Sequence, residues 1–295
     1  FIVGLICFTL IPFVSSLVLA FTDYDVLSAP KWIGFDNFKK MFFEDKLFWK
    51  SLGVTFKFAV IQVPLKLAVS LFVAMLLNRK TRGIGIYRTA FYIPSLMGGS
   101  VAIALLWKQM FNYKGVINGV LGGIGIGPIN WFGNTKTALG VLILLGVWQF
   151  GSSMLIFLAA LKNIPATYYE AADIDGANGW TKFIKITLPL LTPSIFYVVI
   201  VAMINSFQLF PQIMILINQI IGALQAFNSS FLITSGAPLD STLYYGVHLY
   251  NRAFKYYEMG YGSAMAWFLL LIIAVLTGFV FKSSSAWVYY ESEVK

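Results

Sequence analysis

The sequence predicts an all-α, polytopic membrane protein of about six transmembrane helices, and three observations predict it. Of the 295 residues, 59% are hydrophobic and 11% charged, whereas a soluble domain carries about 25% charged residues. Six apolar stretches reach the roughly 20 residues that a membrane-crossing helix needs. These stretches are continuously apolar, unlike the short alternating segments of a membrane β-barrel. With no water in the bilayer core, each must satisfy its own backbone hydrogen bonds, and that makes them helices.

The first span covers about Phe1 to Phe21. It lacks a basic leading region and is long for the apolar core of a secretory signal, so it reads as a span. Because the apolar run starts at the first residue, a tail ahead of it is expected. Thr22 to about Leu52 is polar, with five acids (Asp23, Asp25, Asp36, Glu44, Asp45) and five lysines. Trp32, Phe35, Phe38, Phe42, Phe43, Phe48 and Trp49 are interleaved with them. Aromatic residues favour the headgroup level, so this segment predicts an interfacial loop with short amphipathic helices.

The second span runs from about Val54 to Leu77, the third from Ala90 to Phe111 and the fourth from Ala138 to Leu161. Between them lie a short basic loop (Arg79, Lys80, Arg82, Arg88) and a glycine-rich one, Asn112 to Lys136. A polar loop then leads to Pro189. The fifth span starts at Leu190, and the sixth covers about Ala264 to Phe281. The end of the fifth is obscured by a repeat: Ile204, Gln208 and Phe210 recur in the same spacing as Ile221, Gln225 and Phe227. This is either a local duplication or a join between two related sequences.

Six spans place both termini on one side, and the basic loop after the second span is expected in the cytoplasm. The net charge of +9 is scattered along the chain, without the basic run and stacking aromatics of a nucleic-acid binder. Cys7 is the single cysteine, so no intrachain disulfide forms. No Cys, His and carboxylate cluster has metal-ligand spacing, and His248, the single histidine, is expected to be a polar loop residue. No Walker A sequence is present, so the chain is not expected to hydrolyse ATP. A secondary carrier would need ion-coupling carboxylates within its spans, and the five clearest spans have none. An intramembrane enzyme would need a catalytic pair there.

The segment Pro165 to Pro193 carries the most information. Thr167 and Glu170 have the spacing of a capping box, which predicts a helix start near Tyr168. Gly176 can adopt the left-handed conformation that ends such a helix. A second short helix, about Gly179 to Thr187, should stop ahead of Pro189, because proline disfavours helix at the preceding residue. The product is a helix–turn–helix on the membrane surface. Ala171 and Ala172 are small, so a partner can approach its first helix closely. Asp173 and Asp175 have no nucleophile, base or metal ligand beside them and are expected to be solvated.

Glu170-Ala171-Ala172, then Gly176 after three residues, then Ile186-Thr187-Leu188-Pro189 after nine, resemble the EAA loop of ABC importer permeases at every fixed position. The resemblance implies that the loop, about residues 162–189, is a cytoplasmic coupling helix docked in a cleft of an ATPase subunit. Glu170 would contact that subunit, Gly176 would give the turn, and Leu188 and Pro189 would lead into the next span. The alternative for Glu170 is a capping role within its own helix.

Other stretches resemble the sugar-importer branch: Phe21 to Tyr24, Trp32 to Phe38, Arg88 to Pro94, Gly115 to Asn118, Asn130-Trp131, Tyr250 to Phe254 and Tyr261 to Ala264. Their order is similar to the larger-type permease of maltose, glycerol-phosphate and oligosaccharide importers, without the maltose version's long second periplasmic insertion. The resemblance covers nearly the whole chain and implies one transmembrane domain, 1–295, with an external loop at about 22–52. It implies a prokaryotic inner membrane, both termini in the cytoplasm, and a complex with an ATP-binding subunit dimer, a second permease of different sequence and an external solute-binding protein. ATP and Mg would be used by the ATPase, and this chain would bind no cofactor. Amino-acid and peptide importers share the EAA loop and are the nearest alternative.

Transporter sites near the bilayer midplane are built from polar groups facing a cavity. The candidates are Lys66, Gln149, Asn205, Ser206, Gln208 and Gln225. An ammonium deep in a span is costly unless it faces water or an anion. Lys66 therefore either lines the path, where it would favour an acidic sugar, or snorkels or pairs with a carbonyl. Trp107, Trp148 and Phe207 have faces suited to sugar rings, and ordinary packing is their alternative role.

Overall fold

The computed structural model describes residues 2–79, 82–97, 101–207 and 240–289. Four helices are long and apolar enough to cross a membrane: α1 (Ile2–Leu19), α3 (Lys46–Leu77), α10 (Gly179–Phe207) and α12 (Met259–Ser284). Two bent pairs bring the total to as many as six spans. The first pair is α4 (Ile84–Met97) with α5 (Val101–Met110), the second α7 (Thr135–Trp148) with α8 (Gly151–Asn163). The remaining helices are short: α2 (Asp36–Lys39) with a π turn to Glu44, α6 (Val116–Gly123), α9 (Ala166–Ile174) and α11 (Tyr245–Tyr250) with a π turn to Lys255. A two-stranded antiparallel ribbon, β1 (Thr22–Asp23) with β2 (Lys31–Trp32), closes the loop after α1.

The long helices leave most of their apolar surface outward. In α1 none of the apolar window is buried, and in α3 a third of it is. Phe8, Phe72 and Phe279 are all largely exposed. Water would not tolerate patches of this size on a monomer, whereas lipid accepts them. Helix α1 is held by α12 through Phe13 against Trp267 and a hydrogen bond from Trp267 Nε1 to Ser16 Oγ at 3.1 Å.

Helix α3 is the organising element, because it enters all three apolar cores. Phe58 packs with Trp107, Leu142 and Tyr244. Phe48 and Ala59 pack with Tyr245, Tyr261 and Met265. Val73, Ala74 and Leu77 pack with Met154, Phe157 and Leu191. It contains Pro64, which has no N–H to give to the carbonyl one turn back; membrane helices tolerate this because neighbours re-satisfy the freed group.

The structure corrects several sequence expectations. The second span begins at Lys46, well before Val54, because Asp45 Oδ1 caps it by accepting from Leu47 N and Phe48 N. The third and fourth spans are each two helices. The third is bent by 100° between its two helices, and the fourth by 43° at Gln149-Phe150. The fifth span does not begin at Leu190: α10 runs unbroken through Pro189 from Gly179. A π turn over Phe183–Thr187 makes this possible, with Leu188 N bonding Phe183 O one residue further back than in an α-helix. The repeat that begins at Ile204 lies largely outside the described residues.

His248 is not a loop residue but a buried member of α11, and its partner is Asp45. Its Nε2 donates to Asp45 Oδ2 at 2.8 Å. The same oxygen accepts from Arg252 Nη2 at 3.0 Å and Tyr261 Oη at 2.8 Å. Arg252 also reaches Glu258 at 3.1 Å, and Lys40 reaches Glu258 at 3.0 Å. Burial pushes the Asp45 carboxyl up, but the hydrogen bonds from His248 and Tyr261 and the charges of His248 and Arg252 outweigh it. They hold the group well below the usual carboxylate range.

Asp45→Asn keeps a good N-cap but removes the charge. It is expected to cost about 3–5 kcal/mol, read as a lower thermal unfolding midpoint of the detergent-solubilised protein at pH 7. Because the folded-state pKa is depressed, the contribution is present above about pH 4 and is lost as pH falls through the lowered value. The gap between wild type and Asp45→Asn should therefore close in strong acid. A midpoint gap unchanged between pH 7 and strong acid would assign the loss to packing instead.

Candidate functional site

Two arrangements combine the residues singled out by sequence, and two helices, α8 and α10, join them. The first is the surface turn between α8 and α10. Helix α9 starts directly after Pro165, whose extended ψ of 135° places it at the N-cap. Thr167 is therefore already inside the first turn, and the expected capping box with Glu170 is not formed. Glu170 is exposed and has no hydrogen bond or ion pair among the described residues. The helix ends in a Schellman motif: Ala177 N bonds Ala172 O at 2.8 Å and Gly176 N bonds Asp173 O at 3.1 Å. That geometry requires a left-handed residue, and Gly176 supplies it at φ +71°.

Asn178 then caps α10 by accepting from Thr181 N. The two arms of the turn are tied twice, by an Asp173–Lys182 ion pair and by the hydroxyls of Tyr169 and Thr187 at 2.9 Å. Asp173 is thus paired rather than merely solvated. Tyr168, Ile174, Trp180 and Ile184 stand exposed around the turn, Ile174 at 88%. Ala171 is exposed, Ala172, Ile186, Leu188 and Pro189 are half-buried, and the last three carry the chain into the long part of α10.

The second arrangement is a polar cavity of about 160 Å³ bounded by α3, α4, α8 and α10. It brings together three of the predicted path residues, Lys66, Gln149 and Asn205, and adds Ser95, Ser152 and Ser153. The break between α7 and α8 makes it possible. Gln149 leaves the helix there, and the first turn of α8 faces the cavity. Ser152 N donates to Ser95 Oγ at 3.1 Å. Gly151 lets α8 approach this closely, since a Cβ there would lie 2.6 Å from Phe91 O and 2.8 Å from Ser95 Oγ. Ser206, the residue after Asn205 on α10, is buried and donates to Gln62 Oε1 at 3.2 Å.

The aromatic candidates lie elsewhere. Trp107 is buried, stacked on Phe111 and tilted against the half-buried Trp148. Phe207 packs edge-on against Phe56 and lines an apolar cavity of about 290 Å³ with Pro64 and Leu276. Gln208 and Gln225 lie outside the described residues.

Residues 66–288 match the family described as the binding-protein-dependent transport system inner membrane component. The chain belongs to that family. Among proteins similar to this permease is the "Probable ABC transporter permease protein YesP" of Bacillus subtilis (strain 168). It is 51% identical over 99% of this chain and 90% of its own length. Another is the "Probable starch degradation products transport system permease protein AmyD" of Thermoanaerobacterium thermosulfurigenes. It is 34% identical over 94% of this chain and 88% of its own. In fold, the permease resembles a chain from the crystal structure of a bacterial ABC transporter involved in the import of the acidic polysaccharide alginate. The TM-score is 0.78 at 20% identity, covering 97% of this chain and 92% of that one.

Several of the permease's signature stretches have structural duties. Asn37 donates to Ala20 O and Thr22 O. Asn118 is buried and knits the loop before α7, bonding Tyr113 O, Ile129 O, Ile129 N and Trp131 Nε1. Gly260 and Gly262 let the first turn of α12 press on Thr22 O and Ala253. Sequence reasoning missed Ser95, Ser152 and Ser153, since nothing in a serine's own neighbourhood reveals that helix breaks bring three together.

At Gly176 no atom would meet a Cβ within 4 Å, so a substitution there is limited by φ alone. Gly176→Val is expected to destabilise the turn by about 1–2 kcal/mol and Gly176→Asn by less. Hydrogen exchange across residues 166–177 should be faster in that order, and equal protection in both variants would remove the conformational requirement.

Proposed function

We propose that this permease forms half of the translocation path of an ATP-driven carbohydrate importer, and that the α9–α10 turn couples it to the ATPase. The observation that carries the proposal is mechanical. The helices that line the polar cavity are the helices that hold the turn. Helix α8 contributes Ser152 and Ser153 near its start and runs directly into Pro165 and α9. Helix α10 begins in the turn and ends at the cavity with Val198, Val201, Ala202 and Asn205. It has 29 residues, about 44 Å at 1.5 Å per residue.

The turn is bonded to α10 through Tyr169–Thr187 and Asp173–Lys182, so a force on α9 is carried to α10 as to one body. Exposed Glu170, Ile174 and Trp180 offer a partner one carboxylate and two apolar anchors. Because this chain carries no Walker A sequence, the energy is assigned to a separate ATP-binding subunit dimer using ATP and Mg. Closure of that dimer would draw the turns together and switch the cavity from inward-facing to outward-facing. In this scheme the turn and both termini face the cytoplasm, and residues 22–52 face outward toward a solute-binding protein. A second permease, a different chain, completes the path, and the chain forms a single transmembrane domain. A carbohydrate substrate is supported by the relative named for starch degradation products and by others named for lactose and arabinooligosaccharides.

Glu170→Lys is expected to leave the complex assembled and hydrolysing ATP, while ATP-dependent sugar uptake in proteoliposomes falls by about 5- to 150-fold, the range of typical coupling energies. Normal uptake by the variant would remove the coupling role.

A further inference from the structure

The carbohydrate reading leaves open what the cavity recognises, and we propose that Lys66 holds the anionic group of an acidic sugar there. The inference rests on that reading and extends it from a carbohydrate to a charged one. Lys66 is deep in α3, and its side chain lines the cavity with Gln149, Asn205, Ser95 and Ser152. Its ammonium makes no hydrogen bond or ion pair with any described residue. None of the helices that bound the cavity, α3, α4, α8 and α10, contains an aspartate or glutamate within its limits, and α7, which leads into the break, contains none either. The nearest acids in sequence lie at the ends of the bundle, Asp45 beyond the start of α3 and Glu170 in the surface turn.

A cation so placed costs free energy unless an anion or water faces it, and the described residues around the cavity supply no anion. The rest of the wall suits a carboxylate as well. Gln149 and Asn205 carry amide N–H groups, the serines carry hydroxyls, and the first turn of the 13-residue α8 points its positive end at the same space. The volume, about 160 Å³, equals the liquid share of roughly five waters. It accepts a carboxylate and part of one ring but not an oligosaccharide. The cavity is therefore a subsite for one charged substituent, and the remainder of the sugar extends into the path shared with the second permease.

The alternatives for Lys66 make different predictions. If it snorkels to water, or serves only to fill the interface with the second permease, its charge carries no selectivity between acidic and neutral sugars.

The test uses right-side-out vesicles carrying the complete transporter and its solute-binding protein, with digalacturonate and its methyl ester as a pair that differ in charge and by the ester methyl groups. The wild type is expected to take up the free acid in preference to the ester. In Lys66→Gln the acid-to-ester uptake ratio should fall by roughly tenfold to a hundredfold, the worth of a hydrogen bond to a charged group. Lys66→Arg should keep the preference. The binding protein is the same in all vesicles, so a change in ratio is assigned to the cavity. An unchanged ratio in Lys66→Gln, or a wild type that takes up the ester or maltose but not the acid, would overturn the inference and leave the importer reading standing. Uptake of no sugar by a complex that still hydrolyses ATP would remove the carbohydrate reading and this inference together.

Discussion

Asp45 is the joint on which one end of the bundle depends. Its Oδ1 caps the longest helix through Leu47 N and Phe48 N, and its Oδ2 gathers His248, Arg252 and Tyr261 from the last third of the chain. A single buried carboxylate thus fixes where α3 starts and how α11 and α12 sit against it. The arrangement is held from several sides: Lys40 and Arg252 share Glu258, and both cations lie over the Tyr261 ring. A buried charge with one partner is a poor source of stability, since desolvation consumes most of the attraction. With five donors on two oxygens the carboxylate is satisfied, and losing any one of the charged partners exposes the cost of the rest.

The middle of the bundle is built on the opposite principle. There the polar groups are collected and left facing a space. The break at Gln149-Phe150 interrupts the helical ladder, and Ser70 Oγ reaches across to Phe150 O at 3.2 Å, adding to the bond that this oxygen accepts from Met154 N at 3.0 Å. Irregular backbone at membrane depth is tolerated where it is buried in protein or lines a cavity, and both conditions hold here. Rigid joint and open cavity are connected by α3. The cavity and the surface turn are connected by α8 and α10.

The sequence displayed some of this and hid the rest for physical reasons. The turn was legible because its requirements are local: Gly176 is needed at φ +71°, and the residues that must be small or exposed lie within one short segment. The all-helical, membrane-spanning class was legible because apolar length is a property of each stretch alone, and the structure gives four to six candidate spans. The bends were less so, since a pair such as Gln149-Phe150 is a weak breaker inside an apolar run whose hydropathy does not change. The continuation of α10 through Pro189 was hidden because a π turn has no composition of its own. His248 was misjudged because its partner, Asp45, is 203 residues away, and a lone histidine looks the same with or without a carboxylate beside it. Lys66, Gln149 and Asn205 were picked for being polar inside apolar runs, and the fold places them around one cavity. Phe207 and Trp107 were picked for ring shape, a property that packing uses as readily as binding does.

The central claim is that the α9–α10 turn is the contact through which an ATPase drives this permease. The most direct measurement is to place a photo-crosslinking benzoylphenylalanine at position 180, in place of the exposed Trp180, and irradiate the complete transporter in native membranes with and without ATP. The account predicts a crosslink to the ATP-binding subunit whose yield changes when ATP closes that subunit's dimer. A transporter that still takes up sugar, yet gives no crosslink from position 180 or from a second probe at Ile174, would contradict it.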